Sequence, residues 1–457
     1  MSLNIVILAA GQGKRMYSKI PKVLHKVGGQ PMLARVVETA RSLNPDAIHV
    51  IIGHRSEQIR EALPTLPVNW IIQDQQLGTG HAVLQALPHI PTMGTVLVLY
   101  ADVPLIQVDT LQTLINRCNS QTEQISPLVL LLASVTDPTG LGRVVRDSQE
   151  KIQAIIEEKD ASVAQRQINE IYSGICCAKA TDLGRWLPKL TTHNAQGEYY
   201  LTDIIGMAVA EQLPIESVEV RDCVDIQGVN NRLQLQQLER AYQTRVASQL
   251  MLDGVTLADA SRIDVRGELQ CAMDVFIDVN TVFSGHVVIG EGSSIGPNCS
   301  LNQVTLGAHC EILANSVLDN CHIEDHCQIG PFARLRPGTR LASGCKIGNF
   351  VETKNAVLGN DSKASHLSYL GDVTIGKKVN IGAGTITCNY DGAHKHQTII
   401  EDGVFIGSDT QLVAPVTVGE NATIGAGSTI RRNVPAGELT ITESKQKTIY
   451  GWIRPKK

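Results

Sequence analysis

Two glycines, Gly11 and Gly13, stand in the run LAAGQGKRM, and two cations, Arg15 and Lys22, follow closely. Glycines leave backbone N–H groups open to a phosphate, and a triphosphate needs positive charge beside it. The run lacks GK[ST] after four spacer residues, so it is not a P-loop. Met16 holds the place where a dinucleotide fingerprint has its last glycine. Alone, the run fits an ordinary glycine-rich turn better than a phosphate cradle. LGTGHA at 77–82 is a second glycine-rich loop. Asp102, in YADVP, ends the apolar run TVLVLY. Open α/β sheets bind ligands beyond the carboxyl ends of their strands. A carboxylate there suits a magnesium ion bridging nucleotide phosphates, and equally a simple turn before Val-Pro.

A second group lies far along the chain. His366 and Tyr369 sit in SKASHLSYLGD, and Asn389 and Tyr390 in CNYDG. One histidine among thirteen is usually a surface or core residue, so His366 draws its interest from its position in the repeat described below. His394 and His396 have one spacer between them and no partner carboxylate or cysteine, which predicts an exposed loop rather than a metal site.

These groups need elements to hold them. Residues 1–228 alternate short aliphatic runs (NIVILAA, AIHVIIG, VNWIIQ, TVLVLY) with amphipathic stretches, which predicts βαβ units and a Rossmann-like, mainly parallel sheet. Residues 229–252 place Leu235, Leu238, Tyr242, Val246 and Leu250 at helical spacing without Gly or Pro, which predicts a connecting helix. From 253 to 457 the period changes to six. Ile400, Ile406, Leu412, Val418, Ile424 and Ile430 follow one another at that interval. So do Ile323, Ile329, Leu335, Leu341 and Ile347, and before them Ile289, Ile295 and Leu301. Neither a strand nor a helix has that period. Three hexads close a triangular coil whose apex aliphatics stack into a thin core. The domain is therefore expected to be a left-handed parallel β-helix; the left hand is that of known hexapeptide repeats, since the general crossover rule favours the other. A stack so narrow is expected to exclude aromatics, which are only 4% of the chain. The pattern breaks between Ile347 and Ile375 and between Ile381 and Ile400, and insertions in a solenoid map to loops on one face, often the binding face.

Composition excludes several classes. A net charge of −5 argues against broad nucleic-acid or membrane-surface binding. Eleven cysteines without a CxxC pair argue against a zinc ribbon or a disulfide framework and fit a reducing cytoplasm; the seven beyond residue 270 read as small buried fillers. The opening apolar run is too short for a signal-peptide core, and no stretch approaches the ~18 apolar residues of a membrane span. A cytoplasmic protein is expected.

LAAGQGKRM, PKVLH, QDQQLGTGHA and YADVP together resemble the sugar-phosphate nucleotidyltransferases. GLGR at 140–143, EEKDA at 157–161, AQGEYYLTDII at 195–205 and GVNNRLQL at 228–235 narrow the match. With the repeats, nearly the whole chain resembles the bacterial bifunctional N-acetylglucosamine-1-phosphate uridyltransferase/glucosamine-1-phosphate acetyltransferases. The resemblance implies that UTP is held by Leu8, Ala9, Ala10, Gly11 to Arg15 and Lys22, with Arg15 and Lys22 catalytic. Gln73, Gly78 and Thr79 then surround the uracil, Tyr100, Ala101 and Asp102 continue the pocket, and Asp102 with Asn230 holds Mg2+. Gly142, Glu157 and Tyr172 face the sugar of N-acetylglucosamine-1-phosphate. In the second domain it implies His366 as general base and Arg336, Lys354, Tyr369 and Asn380 around glucosamine-1-phosphate. Ala383, Asn389, Tyr390, Ser408 and Ala426 would line the acetyl-CoA groove. It also implies a homotrimer with active sites between subunits. A base needs its tautomer fixed, and Glu352 is the expected partner of His366. Three positions depart from the family pattern: Ala101 replaces Gly, Tyr172 replaces Asn, and Glu443 stands near an expected Arg; either the tail is a solvated strand and Glu443 touches nothing, or Lys445 or Lys447 meets the phosphates of coenzyme A. A nucleotidyltransferase with a merely structural coil would need neither SKASHLSYLGD nor NYDG.

Overall fold

The structure, a computed structural model, describes residues 2–120, 126–443 and 445–455. It divides into two compact units, Met1–Tyr242 and Gln243–Lys457, and the division falls inside the helix Arg232–Leu252.

In the first unit the aliphatic runs become the strands Leu3–Leu8, Ala47–Ile52, Asn69–Ile72 and Thr95–Tyr100, all parallel. Leu3–Leu8 lies between Ala47–Ile52 and Thr95–Tyr100, so Leu8 stands opposite both Ile51 and Tyr100. Leu3–Leu8, Ala47–Ile52 and Thr95–Tyr100 are buried on both faces and so read as continuous aliphatic runs, whereas Asn69–Ile72 is a partly exposed edge strand. The strand Glu170–Lys179 runs antiparallel between Thr95–Tyr100 and Leu128–Ser134, and it also carries a side hairpin of Gly142–Arg146 and Ile152–Ile156. Helices cover the sheet with apolar stripes: Met32–Arg41 buries Met32, Leu33, Val36, Val37 and Ala40, and Val108–Cys118 buries Leu111, Leu114, Ile115 and Cys118.

The second unit is a left-handed parallel β-helix. Ile277, Ile295, Ile312, Ile329, Ile347, Ala364, Ile381, Ile406 and Ile424 pair in register from coil to coil. Most coils are 17 or 18 residues long, so the hexad phase slips by one at each short coil. The first sequence break is therefore no insertion. Ile347 pairs with Ala364 and Ala364 with Ile381, 17 residues each time, and the small Ala364 fills an apex slot where the pattern lacks an aliphatic. Only the second break lengthens a coil, to 25 residues between Ile381 and Ile406. Apex residues such as Ile329, Leu335 and Ile347 are buried, and each such burial contributes roughly 1.5–3 kcal/mol over exposure. Phe283, between Val265 and Leu301 in register, is a buried aromatic in this stack, contrary to the expectation that none would fit. All eleven cysteines are free; of the seven fillers, Cys299, Cys310, Cys321, Cys327 and Cys345 are buried, and Cys271 and Cys388 half-buried. Among the described residues no helix is long and apolar enough to cross a membrane.

Candidate active sites

The carboxyl ends of Leu3–Leu8 and Thr95–Tyr100 open onto a cavity of about 580 Å³. Its wall gathers Leu8, Ala9, Ala10, Gly11, Arg15, Lys22, Gln73, Gly78, Thr79, Tyr100, Asp102 and Asn230, twelve of the expected nucleotide residues. Gly13 has φ 61°, and a Cβ there would stand 2.7 Å from Lys22 Cβ, so only glycine lets the loop close onto Lys22. Gly78 has φ 119°, with Tyr199 O 2.5 Å from where its Cβ would be. The N–H groups of Gly11, Gln12 and Gly13 have no acceptor among the described residues and remain available to an anion.

Charge converges at the floor. The Lys22 ammonium forms an ion pair with Asp102 Oδ2, the two side chains being 14% and 17% exposed, and it also reaches Asn230 Oδ1 at 3.5 Å. Arg15 donates to the same Asn230 oxygen at 2.9 Å. Two oxygens from positions far apart in sequence thus face one cation. Such hard oxygen donors, one carboxylate and one amide, suit a magnesium ion that takes its remaining ligands from phosphates and water. Among the described residues no group of three or more His, Cys, Asp or Glu could form an all-protein metal cage.

Not every expected residue reaches the cavity. Ala101 is fully buried, and its N–H is held by Leu8 O at 3.1 Å. Gly142, Glu157 and Tyr172 lie off the cavity wall, Gly142 opposite Tyr172 in register and near the Glu157 carboxylate. Tyr172 is buried, and its O–H donates to Gly174 O at 2.7 Å across a bulge in its own strand, so it cannot also donate to a sugar. Burial holds the Glu157 carboxyl above the usual carboxylate range, with Asp160 and Asp203 adding to the effect and Thr202 and Arg143 opposing it. Burial likewise pushes the Tyr100 phenol far up. Four cavity residues, Val23, Gln76, Ala82 and Glu198, were missed. Glu198 lies in the AQGEYYLTDII motif, and Tyr199 beside it binds Gly80 N–H at 2.8 Å, a contact no spacing rule reveals.

On the coil the register explains the second set. Asn349 pairs with His366, and Ile347, Ala364, Ile381, Ile406 and Ile424 pair in turn, so Asn349, His366, Ala383, Ser408 and Ala426 share one column at one corner. The Nδ1 of the exposed His366 meets Asn349 Oδ1 at 2.8 Å. Glu352 is not its partner. Glu352 stands level with Tyr369, three residues past the corner, and pairs with Arg336 at 2.8 Å. Arg336 and Lys354 occupy the same position on consecutive coils. Asn380 lies on the other sheet. The true insertion carries Asn389, bonded to Asp372, and Tyr390, whose O–H donates to Gly392 O. It also brings Lys395, absent from the sequence reading, beside Lys354. Contact with the Lys395 ammonium lowers the Lys354 pKa, with Arg336 contributing. Three cations thus gather here, with Glu352 on Arg336 and Asp372 near Lys354 as counter-charges. His394 and His396 are in that loop, and His396 pairs with Asp391 at 2.7 Å, so a partner carboxylate does stand beside it, contrary to the expectation. Glu443, Lys445 and Lys447 are exposed.

A glycine-rich loop lining a cavity at the carboxyl ends of an α/β sheet, in a chain that also carries a hexapeptide coil with a corner histidine, is the layout of a two-domain transferase. A model of the MobA-like NTP transferase domain matches residues 5–165, and one of the bacterial transferase hexapeptide (six repeats) matches residues 320–355 and 397–432. The chain is 66% identical over all its length, and 99% of theirs, to a protein of Legionella pneumophila (strain Lens) named bifunctional protein GlmU. A protein of the same name from Pseudomonas putida (strain KT2440) is 52% identical over the same shares. A solved UDP-glucose pyrophosphorylase complexed with UDP-glucose matches 54% of this chain and 100% of its own at 16% identity and TM-score 0.43, too weak a likeness to argue from. The chain belongs to the bifunctional GlmU family, with a nucleotidyltransferase and a hexapeptide acyltransferase domain.

Proposed function

We propose that the protein makes UDP-N-acetylglucosamine in two steps. The coil transfers the acetyl group of acetyl-CoA to glucosamine-1-phosphate, and the first domain then transfers uridylyl from UTP to N-acetylglucosamine-1-phosphate. The observation that carries the reading is the convergence of Lys22, Arg15, Asp102 and Asn230 under a loop with free N–H groups. The sugar-phosphate oxygen attacks the α-phosphorus in line; a P–O bond forms, the bond to the β-phosphate oxygen breaks, and pyrophosphate leaves. The chemistry needs positioning and charge neutralisation, not a protein nucleophile. Arg15, Lys22 and the loop N–H groups meet the phosphates. Asp102 and Asn230 would hold a magnesium ion, which would supply further charge neutralisation at the phosphates.

In acetyl transfer the sugar amine must be neutral, and His366 takes its proton as the C–N bond forms and the thiolate leaves. The bond from Nδ1 to Asn349 leaves Nε2 for that proton. Arg336, Lys354 and Lys395 receive the sugar phosphate, with Tyr369 and Asn380 completing the site, and the Ala383–Ser408–Ala426 column with Asn389 and Tyr390 takes the cofactor. A homotrimer with active sites between subunits fits the exposed Phe332, Phe350 and Leu367 beside that column, the two rings stacked at 5.4 Å. Eleven free cysteines fit a cytoplasmic setting. Purified protein should release pyrophosphate from UTP with N-acetylglucosamine-1-phosphate and magnesium, and thiol from acetyl-CoA with glucosamine-1-phosphate; absence of either sinks the two-step reading.

Two results should follow from the site chemistry. Lys395→Ala should raise the KM for glucosamine-1-phosphate about two- to fivefold with kcat unchanged, and more at low ionic strength, because an exposed charge contact is worth ~0.5–1 kcal/mol and is screened by salt. A salt-independent KM equal to wild type would remove Lys395 from the site.

The Glu157 result concerns pH. A raised folded pKa means that the carboxylate gains its proton, and loses its power to accept a sugar hydroxyl bond, at higher pH than an ordinary carboxylate. The KM for N-acetylglucosamine-1-phosphate should therefore rise on acidification while ordinary carboxylates are still charged, and Glu157→Gln should flatten that profile. By the same sign, Glu157 favours the folded state below its unfolded pKa and loses that contribution as pH rises through the folded one. Glu157→Gln should then be no less stable at neutral pH. A wild-type KM without pH dependence contradicts the assignment.

A further inference from the structure

Asn230, one of the two oxygens facing Lys22, lies on a turn just before the helix Arg232–Leu252. We propose that Gln234 is a positioning residue for uridylyl transfer: it clamps the backbone of Asn230, so that the amide oxygen stays on Lys22 and Arg15. The inference rests on the nucleotidyl-transfer reading above.

The first N–H groups of a helix have no partner within it and need acceptors from side chains. Asn231 supplies one: its Oδ1 accepts the Gln234 N–H at 2.9 Å. The Gln234 side chain reaches back in return, as in a capping box. It passes the cap residue, however, and its Oε1 accepts the N–H of Asn230 at 2.7 Å. Asn230 is therefore held from both ends, its N–H by Gln234 and its side-chain oxygen by Arg15 at 2.9 Å and Lys22 at 3.5 Å. The residue before it is fixed as well, since Val229 N–H donates to Asp102 O at 2.9 Å. The segment is thus tied through Val229 to Asp102, which bears one oxygen, and carries at Asn230 the other.

Arg232 joins this turn to the rest of the floor. Its Nε donates to Met16 O at 3.3 Å, next to Arg15, and its guanidinium comes within 3.4 Å of His25 Nδ1, three residues past Lys22. A capping box alone would return the bond to the N–H of Asn231, whereas here it falls on Asn230. The longer reach of Gln234 makes the first turn of this helix the support of the cation-facing oxygen.

The test compares full-length wild type with Gln234→Leu, which cannot accept the bond, Gln234→Ala, which removes it without bulk, and Gln234→Glu, which can accept it. Manganese binding to the UTP-loaded protein without sugar phosphate, followed by electron paramagnetic resonance, reads the site without turnover. Amide hydrogen exchange at Asn230 reads the bond itself, and acetyl transfer by the same chain reports whether the protein is folded. The Leu and Ala variants should bind manganese about fivefold more weakly and lose about tenfold in uridylyl kcat, the KM for UTP changing less. Asn230 N–H should exchange faster, acetyl transfer should match wild type, and Gln234→Glu should recover most of both losses. Faster exchange with unchanged metal affinity and kcat in the Ala variant, or a Glu variant as impaired as Leu, would make Gln234 a helix cap only. A wild type without uridylyl transfer would overturn the parent reading instead.

Discussion

Asp102→Ala is expected to lower uridylyl transfer at least about a hundredfold and to leave acetyl transfer from acetyl-CoA at its wild-type rate. The ion pair with Lys22 is largely shielded from water, and a charge contact in such a setting is worth far more than one on the surface. Its removal frees Lys22 and takes away the only carboxylate on the cation-facing oxygen pair. Losing one electrostatic partner at a transition state typically costs ~10²–10³ in rate. Asp102→Asn, which keeps an oxygen but no charge, should fall between the two. The measurement is pyrophosphate release and thiol release from the same preparation. If both fall together in a folded protein, the two activities do not reside in separate sites.

His366→Ala should give the reverse: acetyl transfer down by ~10²–10⁴, the usual contribution of a general base, with uridylyl transfer untouched. His366 stands at a corner of the coil, where its ring is exposed and one nitrogen is engaged by Asn349. Asn349→Ala should cost less than His366→Ala, since the base would remain but its tautomer would be free. A loss below about tenfold in His366→Ala would make the histidine a binding group and leave the base unassigned.

What could be read from sequence follows from which signals are local. The glycine loop, its cations and Asp102 were legible because each borders an aliphatic strand whose end sets the site, and those strands are adjacent and parallel. The hexads were legible because a coil repeats its neighbours. The strand Glu170–Lys179 was not, since an antiparallel return through a parallel sheet leaves no periodic mark. The supposed first break in the repeat was a phase slip with Ala364 at an apex, and a pattern that counts only Leu, Ile and Val cannot see it. Glu352 was set beside His366 from chemical need, whereas coil register gives that place to Asn349. Lys395 was missed because only the folded insertion brings it to Lys354. Tyr172 marks the same limit: its type implies a donor, but the bulge at Gly174 uses that donor up.

Phosphorus-31 nuclear magnetic resonance of one reaction tests the two-step account most directly. The purified protein is given glucosamine-1-phosphate, acetyl-CoA, UTP and magnesium, with each omitted in turn. The account predicts that pyrophosphate and a UDP-sugar appear together only in the complete mixture, and that N-acetylglucosamine-1-phosphate restores both when acetyl-CoA is left out. A UDP-sugar formed at full rate from glucosamine-1-phosphate without acetyl-CoA, or none in the complete mixture, would contradict it.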